Sequence, residues 1–293
     1  MRKVTFWFRV RRRLRRDFSH FISFIFAFIY FCVNRYSRKS IISIKGGVTV
    51  SLTSHGSRIN TVFGTIESIG KGSCKPGKLI LWIDDVGVFE NLPEAIKRLQ
   101  RRGLTVALCE NFGPHTKYFP VVESETLPEL LVTADDDIFY SKNWLRRLLE
   151  ENHRTPNMIV CYRAHRVGIS KAGIAPYELW EPCTTSEASY LNFATGVSGV
   201  IYPKNYLQCL KSAGRKFVSC APRADDVWLY AMAIRNGFEI RQIFHHPIHF
   251  LEHPRSQKIA LHIDNVMGGR NDIQIAQTCT ASDVEFLLAF QKK

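Results

Sequence analysis

Three consecutive carboxylates, Asp135, Asp136 and Asp137, follow the apolar run Leu130-Leu131-Val132-Thr133-Ala134, and Ile138-Phe139-Tyr140 turns apolar again. A short apolar run of this kind reads as a strand, which delivers the three acids to its carboxyl end. Adjacent like charges repel and are costly to desolvate, so such a terminus calls for a compensating cation. Hard oxygen ligands suit Mg2+ or Mn2+ holding a phosphorylated substrate. A solvated acidic turn that merely ends a strand is the plainer alternative. A second acidic pair, Asp225-Asp226, stands just before Val227-Trp228-Leu229. Mutual repulsion raises the pKa of one of two adjoining carboxylates towards the range useful for a general base. An aspartate at a helix start also serves as a plain cap.

The elements that must position these acids alternate along the chain. Residues 48–53 read as a strand ending in Ser54-His55-Gly56-Ser57-Arg58, and 59–69 as a helix. A second strand, 78–83, ends in Asp84-Asp85, and a basic amphipathic helix over 92–102 precedes a third strand over 105–109. The strand 130–134, a helix over 143–152 and a strand over 158–163 follow. Gly196 and Gly199 come just before a strand ending at Pro203, and a helix opens near Ala224 and runs to about Gly237. Strands separated by helices imply an α/β fold with a mainly parallel sheet and helices on both faces. Ligands of such sheets bind beyond the strand carboxyl ends, where Thr53, Ser54, Arg58, Asp84, Asp85 and Asp135 to Asp137 all fall. No repeat or second boundary follows residue 46, so residues 46–293 are expected to form one domain carrying an N-terminal arm, residues 1–45.

The charge is uneven. The net charge of +14 suggests nucleic acid at first, yet residues 1–45 hold twelve Lys and Arg against Asp17 alone. The other 248 residues carry 28 basic and 25 acidic side chains, an ordinary near-neutral balance without a basic patch for nucleic acid. Within the arm, eight basic residues precede the apolar run Phe21 to Val33, and Arg35, Arg38 and Lys39 follow it. As a helix the thirteen residues of that run, or sixteen counted from Phe18, rise only about 20–24 Å, short of a ~30 Å hydrocarbon core. Cations on both flanks favour a helix lying in an anionic membrane surface. A short anchor with the body translocated is the alternative. The eight scattered cysteines show no CxxC pair and read as reduced, which favours a cytoplasmic body.

These pieces, in this order, resemble the nucleotide-sugar glycosyltransferases of the GT-A fold, especially bacterial capsule and lipopolysaccharide enzymes. The resemblance runs from about Val48 to Asp272 and rests on three stretches. VTADDDIFY looks like the DxD motif, Gly113-Pro114-His115-Thr116-Lys117 looks like the GP-x-TK turn upstream of it, and Ala224-Asp225-Asp226-Val227-Trp228 looks like the acidic acceptor-side motif. It implies Mn2+ or Mg2+ held by Asp137 alone or by Asp137 and Asp135, with Asp135 facing the metal or the ribose and Asp136 turned aside and free to hydrogen-bond the sugar. Thr53 and Ser54 would line the donor site, Lys117 and Arg58 would neutralise the diphosphate, and Asp84 or Asp85 would meet the base or ribose. Asp225 or Asp226 would act as base, Asp226 being favoured by its closeness to Trp228. Gly196, Gly199 and Trp228 would border the acceptor. Plainer roles stand beside these: a loop lysine, a cap at Asp85, turn glycines, a core tryptophan.

His245, His246, His249 and His253 fit no zinc spacing, and Pro247 and Pro254 interrupt the segment. The resemblance allows His249 or His262 to complete the metal shell, and Arg270 to close over the diphosphate. It implies an inverting transferase moving a sugar from a nucleotide-sugar donor to a saccharide or lipid-linked acceptor in surface polysaccharide synthesis. The body would sit on the cytoplasmic face of a bacterial inner membrane, or in a Golgi lumen behind a type II anchor. Competing readings are a metal-dependent nucleotidyl- or phosphotransferase and an inactive membrane-docked adaptor.

Overall fold

Successive side chains of a strand point to opposite faces, so a sheet covered on both sides feeds two cores. The computed structural model, which describes residues 2–254 and 270–291, shows this division. The strands are β1 (Val48–Thr53), β2 (Lys78–Ile83), β3 (Leu104–Leu108), β4 (Leu130–Thr133), β5 (Ile138–Phe139), β6 (Ile159–Cys161) and β7 (Ala164–Arg166). After them come β8 (Ile169–Ser170), β9 (Gly173–Ile174), β10 (Glu181–Pro182), β11 (Asn192–Ala194), β12 (Val200–Pro203), β13 (Ile240–Gln242) and β14 (Leu251–Glu252). Leu79, Leu81, Val132, Val160 and Ile201 enter one core, and their neighbours Ile80, Leu131, Ile159, Val200 and Tyr202 enter the other.

The helices are α1 (Arg2–Tyr36), α2 (Phe63–Gly70), α3 (Val86–Glu90), α4 (Glu94–Gln100), α5 (Phe119–Glu123), α6 (Trp144–Arg154), α7 (Lys204–Ala213), α8 (Phe217–Cys220), α9 (Asp225–Arg235), α10 (Arg270–Thr278) and α11 (Ala281–Gln291). Helices α2, α4 and α6 cover the first core, and α5, α7 and α9 the second. The mainly parallel α/β sheet with helices on both faces is therefore present.

The central sheet has the order β13-β6-β12-β4-β1-β2-β3. Strands β3, β2, β1 and β4 are parallel, β12 is antiparallel to both β4 and β6, and β13 is parallel to β6. One reversed strand has a decisive consequence. The carboxyl ends of β1, β2, β4 and β6 and the amino end of β12 all reach the same edge.

Helix α1 is longer than the apolar run suggested. Its part from Asp17 to Tyr36 spans 20 residues and is long and apolar enough to cross a membrane. Ser23, Tyr30 and Asn34, at helical spacing, are nonetheless buried against the body. The Asn34 side chain donates to Glu67 Oε1 at 3.1 Å and to the Ala95 carbonyl at 3.0 Å, and accepts from Arg98 Nε at 2.9 Å. The opposite face exposes Phe18, Phe21, Phe24, Phe28 and Phe31.

Candidate active site

Ser54 and Arg58 follow β1 and fix the middle acid. Ser54 Oγ donates to Asp136 Oδ2 at 2.7 Å, and Arg58 Nη1 to Asp136 Oδ1 at 2.8 Å. From α2, Thr65 Oγ1 donates to the Asp136 carbonyl at 2.9 Å. Asp136 is only 6% exposed, and burial lifts its pKa while Arg58 and Ser54 oppose the rise. The middle acid thus braces the turn and leaves its neighbours to face outward.

Asp135 and Asp137 keep open faces, with side chains 29% and 19% exposed. The Tyr140 hydroxyl accepts from the Asp135 amide at 2.9 Å, and the Asp137 carbonyl accepts from the His253 amide at 2.6 Å. Burial, then Asp135 and Asp136, push the Asp137 carboxyl up to about 7, against the pull of Arg58. A divalent cation at this edge would relieve that repulsion, and two carboxylates leave coordination positions for phosphate oxygens and water. The pair therefore fits Mg2+ or Mn2+ shared with a substrate. Among the described residues no group of three or more His, Cys, Asp or Glu stands ready to hold a metal without one.

Lys117 links this edge to the second acidic pair. It ends a 3-10 turn, Gly113–Lys117, docked on β1 through Ser51 Oγ, which donates to the Lys117 carbonyl at 2.7 Å. Its Nζ lies 3.1 Å from Asp135 Oδ1 and 2.9 Å from Asp225 Oδ2, with the residue 8% exposed. Burial works against the charge, but Asp135, Asp225 and Asp226 outweigh it and hold the amine protonated. His115 in the same turn is core: stacked on Phe217 at 4.1 Å and bonded to the Ala221 carbonyl at 2.7 Å, it is pushed down to about 4 by burial.

Asp225 and Asp226 open α9. Asp226 accepts from the Gly196 amide at 3.1 and 3.2 Å. Burial and then Asp225 raise its pKa, and Lys117 opposes. A Cβ on Gly196 would lie 2.6 Å from Lys117 Nζ and 3.1 Å from Asp226 Oδ1, so a larger residue here would push the Lys117 ammonium from its place.

Several sequence candidates make their contacts outside this cluster. Thr53 Oγ1 donates to the Trp82 carbonyl at 3.2 Å. Asp84 pairs with His55 at 3.2 Å, and Asp85 caps α3 by accepting from the Val88 amide at 2.9 Å. Gly199, at φ +96°, makes room for the Trp144 indole, 2.6 Å from where a Cβ would stand. Trp228 is buried beside Phe217 at 6.3 Å. His249 is exposed, its pKa lowered by burial and by Arg163. His262 and the loop preceding Arg270 lie outside the described residues.

Sequence reasoning missed Arg163. It follows β6 at the same edge, donates to Thr195 Oγ1 at 3.0 Å, and its Nη2 lies 3.0 Å from His165 Nε2. The strand-end rule that selected Ser54 and Asp135 would have selected it. Tyr140 and Thr65 carried no such signal, because their roles arise from packing across the chain.

No family profile and no curated protein sequence matches the chain. Among solved structures it is similar to GalNAc-T7 with UDP, GalNAc and Mn2+, at 13% identity and TM-score 0.45 over 76% of this chain and 48% of that one. It is also similar to the mannosyltransferase PcManGT from Pyrobaculum calidifontis in complex with GDP-Man and Mn2+, at 13% identity and TM-score 0.47 over 76% of this chain and 63% of that one. The chain thus spans about half the length of the first protein and under two thirds of the second.

Proposed function

We infer that the protein is a metal-dependent, inverting glycosyltransferase of GT-A type. It moves a sugar from a nucleotide-sugar donor to a saccharide or lipid-linked acceptor in the synthesis of a surface polysaccharide or glycolipid. The observation that carries the reading is the Lys117 ammonium held between Asp135, at the end of β4, and Asp225, at the start of α9. It sets an outward-facing carboxylate pair suited to a cation beside a separate acid suited to take a proton.

Asp135 and Asp137 would hold the divalent cation, which when bound supplies positive charge to a leaving diphosphate. Lys117 would add positive charge against the same diphosphate as its charge grows. Asp226, kept basic by burial and by Asp225, accepts the proton of the acceptor hydroxyl. That oxygen bonds to the anomeric carbon while the bond from this carbon to the diphosphate oxygen breaks, its electron pair leaving with the nucleotide. Attack opposite the leaving group inverts the anomeric configuration.

The arm supports a membrane location. An exposed phenylalanine face on α1, following eight cations within the first sixteen residues, suits an anionic leaflet. The reduced cysteines support its cytoplasmic side.

Incubating the full chain with UDP-, GDP- and CMP-sugars and Mn2+, then following the released sugar by NMR, tests this. Turnover of one donor giving the inverted anomer first is expected, falling roughly 10²–10⁴-fold in Asp226→Asn. A retained anomer would overturn the inverting assignment, and no turnover or binding of any donor would overturn the transferase reading.

A further inference from the structure

A cavity of about 680 Å³ lies where α1 meets the body. Phe26 and Tyr30 of α1 form one wall, and Phe139 and Phe250 form the other. Tyr30 and Phe139 approach at 5.2 Å between ring centroids, so the interior is aromatic and apolar. Lys71 and Lys142 border it as exposed residues, and neither ammonium makes an ion pair among the described residues. Two free cations beside an apolar space suit a ligand with a hydrocarbon chain and an anionic head.

Position says where such a ligand comes from and what it serves. The helix that walls the cavity turns Phe21, Phe24 and Phe28 outward, so the chamber adjoins the surface fitted to a bilayer. The other wall leads to the acids: Phe139 is two residues beyond Asp137, and the hydroxyl of Tyr140, another lining residue, is bonded to the Asp135 amide. His249 also lines the cavity, within electrostatic reach of Arg163 and Glu252 at the catalytic edge.

We propose that this cavity seats the phosphate and first apolar units of a lipid-linked acceptor drawn from the membrane, with Lys71 and Lys142 on the phosphate. This deepens the transferase reading and rests on it. A free headgroup of bulk lipid would need no chamber bordered by the segment that follows the acidic turn.

The test is titration of farnesyl phosphate into the full chain held in phosphatidylcholine nanodiscs. Saturable binding is expected, weakened roughly tenfold or more both in Lys71→Ala/Lys142→Ala and in Ser141→Trp, which fills the cavity. All three positions are exposed, and melting temperatures confirm that each variant folds. Binding unchanged in both variants would overturn the proposal. So would inorganic phosphate binding as tightly as farnesyl phosphate, or phosphatidylglycerol displacing it fully. A separate titration of nucleotide sugars with Mn2+ on the unmodified chain keeps failure of the transferase reading distinct from failure of the lipid site.

Discussion

Lys117 is the residue on which the site turns, because one buried ammonium serves carboxylates from two distant parts of the chain. Replacing it with methionine keeps the length of the stem and leaves Asp135 and Asp225 facing each other without a cation. Removing one partner of a buried ion pair costs on the order of 3 kcal/mol. Lys117→Met should therefore lower stability to denaturant by about that much at neutral pH. Asp226 gives a different signature. Its pKa lies above the ordinary carboxylate range, through burial and Asp225, and a base works only when ionised. With Asp226 as the proposed base, activity should rise with pH through about 7 and level off once Asp226 is ionised. Asp226→Asn should lose that limb along with most of the rate, which a pH profile of both proteins checks.

Elements explain why residues far apart in sequence converge. Strand β12 runs against its neighbours, so the turn before it meets the strand ends after β1, β4 and β6. Gly196 in that turn touches both Lys117 and Asp226, and an alanine there must displace one of them. Gly196→Ala should reduce turnover roughly a hundredfold while changing the melting temperature little, since the loss is of alignment. Helix α2 holds the acidic turn by a second route, through Thr65 on the Asp136 carbonyl. Thr65→Val should cost about 1–2 kcal/mol of stability, measured by urea unfolding, because it leaves that buried carbonyl without its donor. The strands and the acids at their ends were legible in the sequence, since apolar runs ending in Asp and Ser state both at once. That Asp136 turns aside followed from the DxD resemblance, but the partners that hold it, Ser54, Arg58 and Thr65, were not legible because they arrive from elsewhere. For Gly199 and Trp228 the sequence left the acceptor and packing roles both open, and only the assembled layers show that they face the packing.

The whole molecule joins two chemistries, an acidic edge and a basic, aromatic arm. Near-neutral charge in residues 46–293 means that attraction to an anionic membrane must come from the arm. Each cation near such a surface contributes about 1 kcal/mol, so a chain lacking residues 1–16 should bind phosphatidylserine vesicles far more weakly than the full chain. High salt should narrow the difference in a vesicle sedimentation assay. The second half of α1 behaves otherwise, because Tyr30 and Asn34 are buried on α2, α4 and β5. Removing it as well would strip cover from the body, so activity is best measured on the full chain.

Asp135 and Asp137 are proposed to form the cation-dependent donor site. Calorimetric titration of UDP-, GDP- and CMP-sugars into the full-length protein, with Mn2+ and then with EDTA, tests it most directly. Saturable binding of one donor class that requires Mn2+ and disappears in Asp137→Ala is expected. Binding that persists undiminished in EDTA, or in Asp137→Ala, would contradict it, as would no binding of any nucleotide sugar.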